Sequence, residues 1–128
     1  MNATVREWVE KAEGDLTTAQ RELRARKKPN YDASCFHSQQ CIEKLMKAVL
    51  IQRREVPPKT HDLAYLGELV ARACPRWTSP AETLRFLSRA AVIFRYPGEF
   101  AGRKEAAEAF GAARTLRGQL RFLLGLGQ

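Results

Sequence analysis

The sequence is short of the groups that most enzymes and small scaffolds are built around. It has two histidines and three cysteines. Two histidines and scattered carboxylates form no cluster with metal-ligand spacing, so no metal is expected. Cys35, Cys41 and Cys74 are odd in number and contain no Cys-x-x-Cys pair, which excludes a disulfide framework and a zinc site and leaves reduced, structural thiols. The longest apolar runs, such as Ala90–Phe94, fall far short of the ~18 residues that cross a bilayer. The N-terminal stretch is charged from Arg6 onward and lacks the apolar core of a signal peptide, so the expected compartment is the cytoplasm, with no membrane partner. Also missing are the glycine-rich phosphate loops, the His-Glu-x-x-His metal motif and the Gly-x-Ser-x-Gly nucleophile turn. No cofactor is expected. Acid is missing from the C-terminal end, where no Asp or Glu follows Glu108 while Arg114, Arg117 and Arg121 do.

What is present describes one soluble globular domain over residues 1–128, 45% apolar and 28% charged. Lys and Arg total 22 against 14 Asp and Glu, a formal net charge of +8. Such an excess points to an anionic partner: nucleic acid, nucleotide or acidic protein.

The chain is rich in Ala, Leu, Arg and Glu and shows no sustained strand alternation, so it reads as helices only, an all-α bundle. A first helix opens at Thr4, with Glu7 completing a capping box, and stops at Pro29-Asn30. A second runs from about Asp32 to Arg54. Its apolar residues fill an arc of roughly 200° at 100° per residue, wide enough to touch several neighbours, so it belongs at the centre. Ser38 and Gln39 fall inside that arc and need buried hydrogen-bond partners. A short third helix, about Asp62–Ala73, follows the Pro57-Pro58 turn, with Thr60 as its candidate cap. Ser79-Pro80-Ala81-Glu82 starts a fourth helix, which Pro97-Gly98 ends. A fifth spans about Arg103–Leu124, with Ala107, Gly111 and Gly118 forming a small-residue stripe that permits close helix approach. Residues 124–128 are expected to fray. The architecture is an antiparallel up-and-down bundle of four long helices plus one short helix.

Four groups of residues could carry chemistry. On the polar face of the second helix His37, Gln40, Lys44 and Lys47 project within about 80° of one another and could bind phosphate or a base edge; the alternative is a solvated face. Arg54 and His61 could hold and protonate a phosphodiester, but the Pro-Pro turn separates them, and His61 also suits the start of the third helix. Arg95 and Tyr96 could hold a nucleotide by pairing and stacking, or Tyr96 could simply pack before the turn. Arg103, Arg114, Arg117 and Arg121 form a stripe within about 60° on the fifth helix with no acid nearby in sequence, either an anion footprint or a solvated face.

Together these segments resemble the HEPN domain family. The run Ala33–Ala48 (ASCFHSQQCIEKLMKA) is similar to the second helix of that family. Ala12-Glu13-Gly14-Asp15-Leu16, Thr60-His61-Asp62-Leu63 and Arg95-Tyr96-Pro97-Gly98 follow the order seen in its prokaryotic single-domain members. The resemblance implies a helical bundle, usually a homodimer, that handles a nucleotide or RNA and often acts beside a minimal nucleotidyltransferase partner in toxin–antitoxin-like systems. Nuclease members carry Arg, four to six residues and then His on the fourth helix. Here Arg89 is followed at the matching positions by Phe94, Arg95 and Tyr96. The resemblance therefore implies a binding module without cleavage activity. The spacing of the second helix and its convergence with the end of the fourth make His37, Gln40, Lys44, Lys47, Arg95 and Tyr96 the expected nucleotide-binding residues. A metal-independent endoribonuclease toxin is the alternative.

Overall fold

Five helices make up the computed structural model, which describes residues 1–127: α1 (Ala3–Arg24), α2 (Tyr31–Gln52), α3 (Leu63–Ala73), α4 (Ala81–Ile93) and α5 (Arg103–Leu123). There is no strand among the described residues. Three helices run 21 or 22 residues, and α3 and α4 run 11 and 13.

Three of the five helix starts follow short polar side chains that accept backbone N–H groups with no intrahelical partner. Asn2, ahead of the expected Thr4–Glu7 box, accepts from Val5 N at 2.8 Å, and Asn30 caps α2 through Ala33 N at 2.9 Å. At α3 the cap is Asp62, accepting from Tyr65 N, while Thr60 accepts from Asp62 N and fixes the turn before it. Ser79 does not cap α4. Its hydroxyl is buried against α3 without a partner among the described residues, and the helix begins behind Pro80 with no side-chain cap. The close approach of α3 to α4 at Gly67 accounts for this. A Cβ there would lie 2.4 Å from Ser79 Oγ and 2.5 Å from Leu84 Cδ1.

Contacts between side chains give the helix directions. Ser34 bonds to Ala19, His37 and Lys44 to Asp15, and Lys47 lies over Trp8, so α1 and α2 run antiparallel. Asp32 binds Ala101 N, and Gln52 binds Leu124 O, so α5 runs parallel to α2. Leu63 N reaches Ser88 Oγ while Gly67 faces Leu84, which sets α4 against α3. Thus α1, α2, α4 and α5 alternate in direction. The segment 53–62 returns along α2, so short α3 runs the same way as α2, with His61 back beside Glu43.

α2 touches all four other helices. Cys35, Cys41, Ile42, Leu45, Met46, Ala48, Val49 and Leu50 are buried along it, as its wide apolar arc demands. So are five polar residues, Ser34, Ser38, Gln39, Glu43 and Lys47. Ser34 Oγ donates to Ala19 O at 2.8 Å, whereas Ser38 Oγ has no partner among the described residues. All three cysteines are buried and unpaired. Burial, reinforced by Asp32 and Glu105, pushes the Cys35 thiol up to about 11; Cys41 is also pushed up, by burial and then by Glu13 and Asp15.

Trp77 is buried, 8% exposed, and donates its indole N–H to Gln119 Oε1 at 2.8 Å. Two expectations about the C-terminal half differ from the structure. Ala107 and Gly111 face solvent, and a Cβ on Gly111 would meet nothing within 4 Å, so the small-residue stripe receives no helix of this chain there. The tail after α5 closes back on the bundle. Gly125 takes φ +80°, its N–H reaches Phe122 O, and Leu126 N reaches Arg121 O at 2.8 Å, with Leu124 and Leu126 packed on the core. Gln128 lies outside the described residues. α2 ends in the same motif, with Arg54 rather than glycine in the left-handed region at φ +64°.

Because the contact at Gly67 involves an α3 backbone and a buried Leu84, Gly67→Ala should destabilise the fold by about 1–3 kcal/mol, the usual cost of overpacking. Urea melts of the two proteins check this; an unchanged midpoint would mean that the α3–α4 contact yields freely.

Candidate functional site

The polar face of α2 divides between two neighbours: His37 and Lys44, seven apart, share one side of the helix, and Gln39, Glu43 and Lys47, four apart, share another about 100° round from it. On the α1 side, Asp15 is buried and takes two of the candidates, His37 and Lys44. Its Oδ1 accepts from His37 Nδ1 at 2.7 Å, and its Oδ2 accepts from Lys44 Nζ at 2.5 Å. His37 also stands edge-on to Phe36, with ring centroids 5.3 Å apart. His37 and Lys44 are thus brought together, by a carboxylate that fills the place an anion would take.

On the α3 side, Glu43 gathers a second set. Its side chain is 5% exposed. It accepts from Lys47 Nζ at 3.1 Å, from Gln39 Nε2 at 3.1 Å and from His61 Nδ1 at 2.9 Å. Gln39 Nε2 also reaches His61 O, and Gln40 Nε2 donates to Gln39 Oε1 at 2.8 Å. Burial works against the Glu43 charge, but the hydrogen bonds from His61, Gln39 and Lys47, with the Lys47 charge, outweigh it and hold the carboxyl below its ordinary value. Lys47 is itself buried, with its ammonium 5.9 Å from the Trp8 ring centroid, so it faces the interior rather than the groove expected to hold a ligand.

Beside the Glu43 cluster, α2, the α3 entrance and α4 enclose a cavity of about 530 Å³. Phe36, Gln40, His61, Ser88 and Arg95 are among its lining residues. Arg95 lies with its guanidinium carbon 5.1 Å from the Phe36 ring centroid, and among the described residues no carboxylate lies within 4 Å of it. Of the six residues assigned to nucleotide binding, Gln40 and Arg95 meet here. Tyr96 is exposed and does not line the cavity, and His37, Lys44 and Lys47 sit outside it.

His61 is the residue that spacing did not assign to this place. Its side chain is 84% exposed, yet its ring is fixed by the buried Glu43. The return of residues 53–62 along α2 puts it there. Arg54 remains at the α2 C-terminus, about 16 Å along the helix axis from Glu43 at 1.5 Å per residue, so the Arg54–His61 pairing does not form. The signal that could have found the site is the Glu43/Gln39 pair, two polar residues four apart at the edge of the apolar arc.

The arginine stripe of α5 is partly neutralised, contrary to its reading from local sequence. Glu13 of α1 accepts from Arg117 Nε at 2.9 and 3.0 Å and from Arg121 at 3.3 Å; the acid comes from another helix. That hydrogen bonding raises the Arg117 pKa and keeps it charged. Arg114 lies over the Phe110 ring, and Arg103 is exposed at the α5 start. Among the described residues there is no group of three or more His, Cys, Asp or Glu that could hold a metal ion, and no helix long and apolar enough to cross a membrane.

The HEPN domain family model matches residues 5–121, nearly the whole chain. Two solved structures share the fold. TT1696 from Thermus thermophilus is 25% identical, with a TM-score of 0.69, over 94% of this chain and 96% of that one. ST0689, described as an archaeal HEPN homologue, is 26% identical, with a TM-score of 0.65, over 94% of this chain and 95% of that one. No curated protein matches the chain.

The Glu43 cluster has a pH signature. A carboxyl whose folded pKa lies below its unfolded value, about 4.3, contributes stability above that value and loses it as pH falls through the folded pKa. The stability gap between the protein and its Glu43→Gln variant should therefore narrow as pH is lowered from about 5 to about 3. Urea melts across that range measure it, and a gap independent of pH would show that the Glu43 charge does not hold the cluster.

Proposed function

The chain belongs to the HEPN domain family, and from that premise we propose that it is a nucleotide- or RNA-binding module whose ligand sits in the cavity between α2 and α4. One observation carries the reading. Arg95 presents a guanidinium that no carboxylate among the described residues neutralises, beside the Phe36 ring, at a cavity of about 530 Å³, within the range of small-ligand sites. Phosphate would pair with Arg95, a base would stack on Phe36 or on the neighbouring Tyr96, and the Gln40 amide would read a base edge. Of the residues first assigned to the site, His37, Lys44 and Lys47 serve it indirectly in this reading. Asp15 and Glu43 hold them, and they fix the face of α2 from which Gln40 projects. The Arg103/Arg114/Arg117/Arg121 stripe would add a diffuse positive field for a polyanion, carried mainly by Arg103 and Arg114.

The module would act as a homodimer beside a minimal nucleotidyltransferase, without cleaving RNA itself. Exposed Val92, Ile93, Tyr96 and Phe100 around the end of α4 supply apolar surface for the second copy. One observation favours the endoribonuclease alternative. The Glu43 carboxylate takes the Nδ1 hydrogen of His61 and leaves Nε2 free on an exposed ring that lines the same cavity as Arg95, which is a general acid–base arrangement. Incubating purified protein with labelled RNA in the presence of a chelator separates the two. Intact RNA supports the binding module, and cleavage that His61→Ala abolishes supports the nuclease.

Titration calorimetry with ATP and with a short RNA should detect binding to at least one ligand. Arg95→Ala should weaken it by about 1–3 kcal/mol, the scale of hydrogen bonds to charged groups. Binding should also weaken with added salt. No heat for either ligand with folded protein would overturn the reading.

A further inference from the structure

The end of the bundle where α5 meets the α3–α4 connection carries a second groove, separate from the α2–α4 cavity. Two adjoining cavities of about 580 and 360 Å³ share Arg76, Phe122 and Leu123. The floor is apolar. Trp77 lines it with its indole N–H already given to Gln119, and Gly118 leaves the α5 surface low. Phe122 stands on the lip with 80% of its surface exposed, and it adjoins the apolar floor, so the two make one continuous apolar surface. Arg53, Arg76 and Arg114 line the same two cavities. All three are exposed, and among the described residues none has a carboxylate within 4 Å. Among the described residues no acidic side chain lines either cavity.

An apolar floor with arginines at its edges is complementary to a polypeptide that carries apolar side chains on one face and carboxylates beside them. A second copy of this groove is a poor occupant, because a two-fold contact would set the same three arginines against one another. A nucleic acid is also a weaker fit. Phe122 is the one exposed ring among the lining residues, and the Gln119 carbonyl oxygen that could read a base is engaged by Trp77. We propose that this groove docks an acidic amphipathic helix of another protein, with apolar residues seated against Phe122, Leu123 and Trp77 and carboxylates paired with Arg53, Arg76 and Arg114. The stretch of α5 from Arg114 to Leu123 is about 14 Å long at 1.5 Å per residue, room for two to three turns of such a helix.

The probe is a dye-labelled synthetic helix of about 16 residues, with leucines at i, i+3, i+4 and i+7 flanked by glutamates. Fluorescence anisotropy measures its binding to the full chain, against a copy with the leucines replaced by serine, a copy with the glutamates replaced by lysine, and a short single-stranded RNA. The acidic leucine peptide should bind, and both altered peptides should bind at least about tenfold more weakly. Phe122→Ala, and separately the double variant Arg76→Glu/Arg114→Glu, should each weaken it by about tenfold or more. Lys104→Glu, an equal change of charge per site at the far end of α5, should leave it unchanged; circular dichroism melts verify that each variant is folded. Equal binding of the serine peptide would reduce the groove to a diffuse positive field and overturn the proposal. So would a Phe122→Ala variant that loses RNA but keeps the peptide, which would make the face a nucleic-acid surface.

Discussion

A helix covered on every side must set its polar residues against partners or leave them unsatisfied, and α2 is such a helix, with Ser38 the one buried polar residue along it that finds no partner among the described residues. Ser34, Gln39, Glu43 and Lys47 are buried along it, and the free energy of leaving any of them unpaired, about 1–3 kcal/mol for a neutral group and more for a charge, forces specific contacts. Those contacts fix the molecule. Asp15 takes His37 and Lys44 and sets the register of α1, while Glu43 takes Lys47, Gln39 and His61 and anchors the return of residues 53–62. Neutralising Glu43 would leave a buried lysine without its counter-ion, so this single carboxylate couples packing to the position of the α3 entrance.

The same coupling shapes the candidate site. The cavity between α2 and α4 exists because α3 starts where Glu43 holds it and because α4 is drawn against α3 at Gly67. Gln39 bridges the two levels: its amide N–H groups serve Glu43 and the His61 carbonyl, and its oxygen accepts from Gln40 at the cavity wall. A ligand in the cavity would therefore meet side chains whose positions are already fixed, which lowers the ordering cost of binding. Arg95 is the contrast, an exposed residue just after α4, restrained mainly by Phe36.

Much of the fold was legible in the sequence for a plain reason. Helical periodicity reports which face of each helix is buried, and the width of the α2 arc reports how many neighbours cover it; Leu45, Met46 and Val49 are buried as that arc requires. The helix ends were less legible. Asn2 and Asp62 won the cap positions from Thr4 and Thr60 by about a turn or less, and Ser79 lost its cap to tight packing against Gly67. The site was the least legible part. A helical wheel places His37, Gln40, Lys44 and Lys47 on one side but carries no information about the acids that other helices bring, and Asp15 and Glu13 come from α1. Nor does it place His61, whose position depends on a ten-residue segment, 53–62, doubling back along α2.

The central claim is that the ligand lies between α2 and α4 and not on the Asp15 side of α2 or the α5 stripe. Backbone and side-chain NMR shifts recorded while a short RNA or ATP is added would locate it directly. The expected result is a cluster of shifted resonances at Gln40, His61, Ser88 and Arg95, with the His37 ring and the Arg117 and Arg121 guanidinium groups unmoved. Shifts centred on His37 and Lys44, or on Arg103 and Arg114, with the α2–α4 cavity silent, would contradict it.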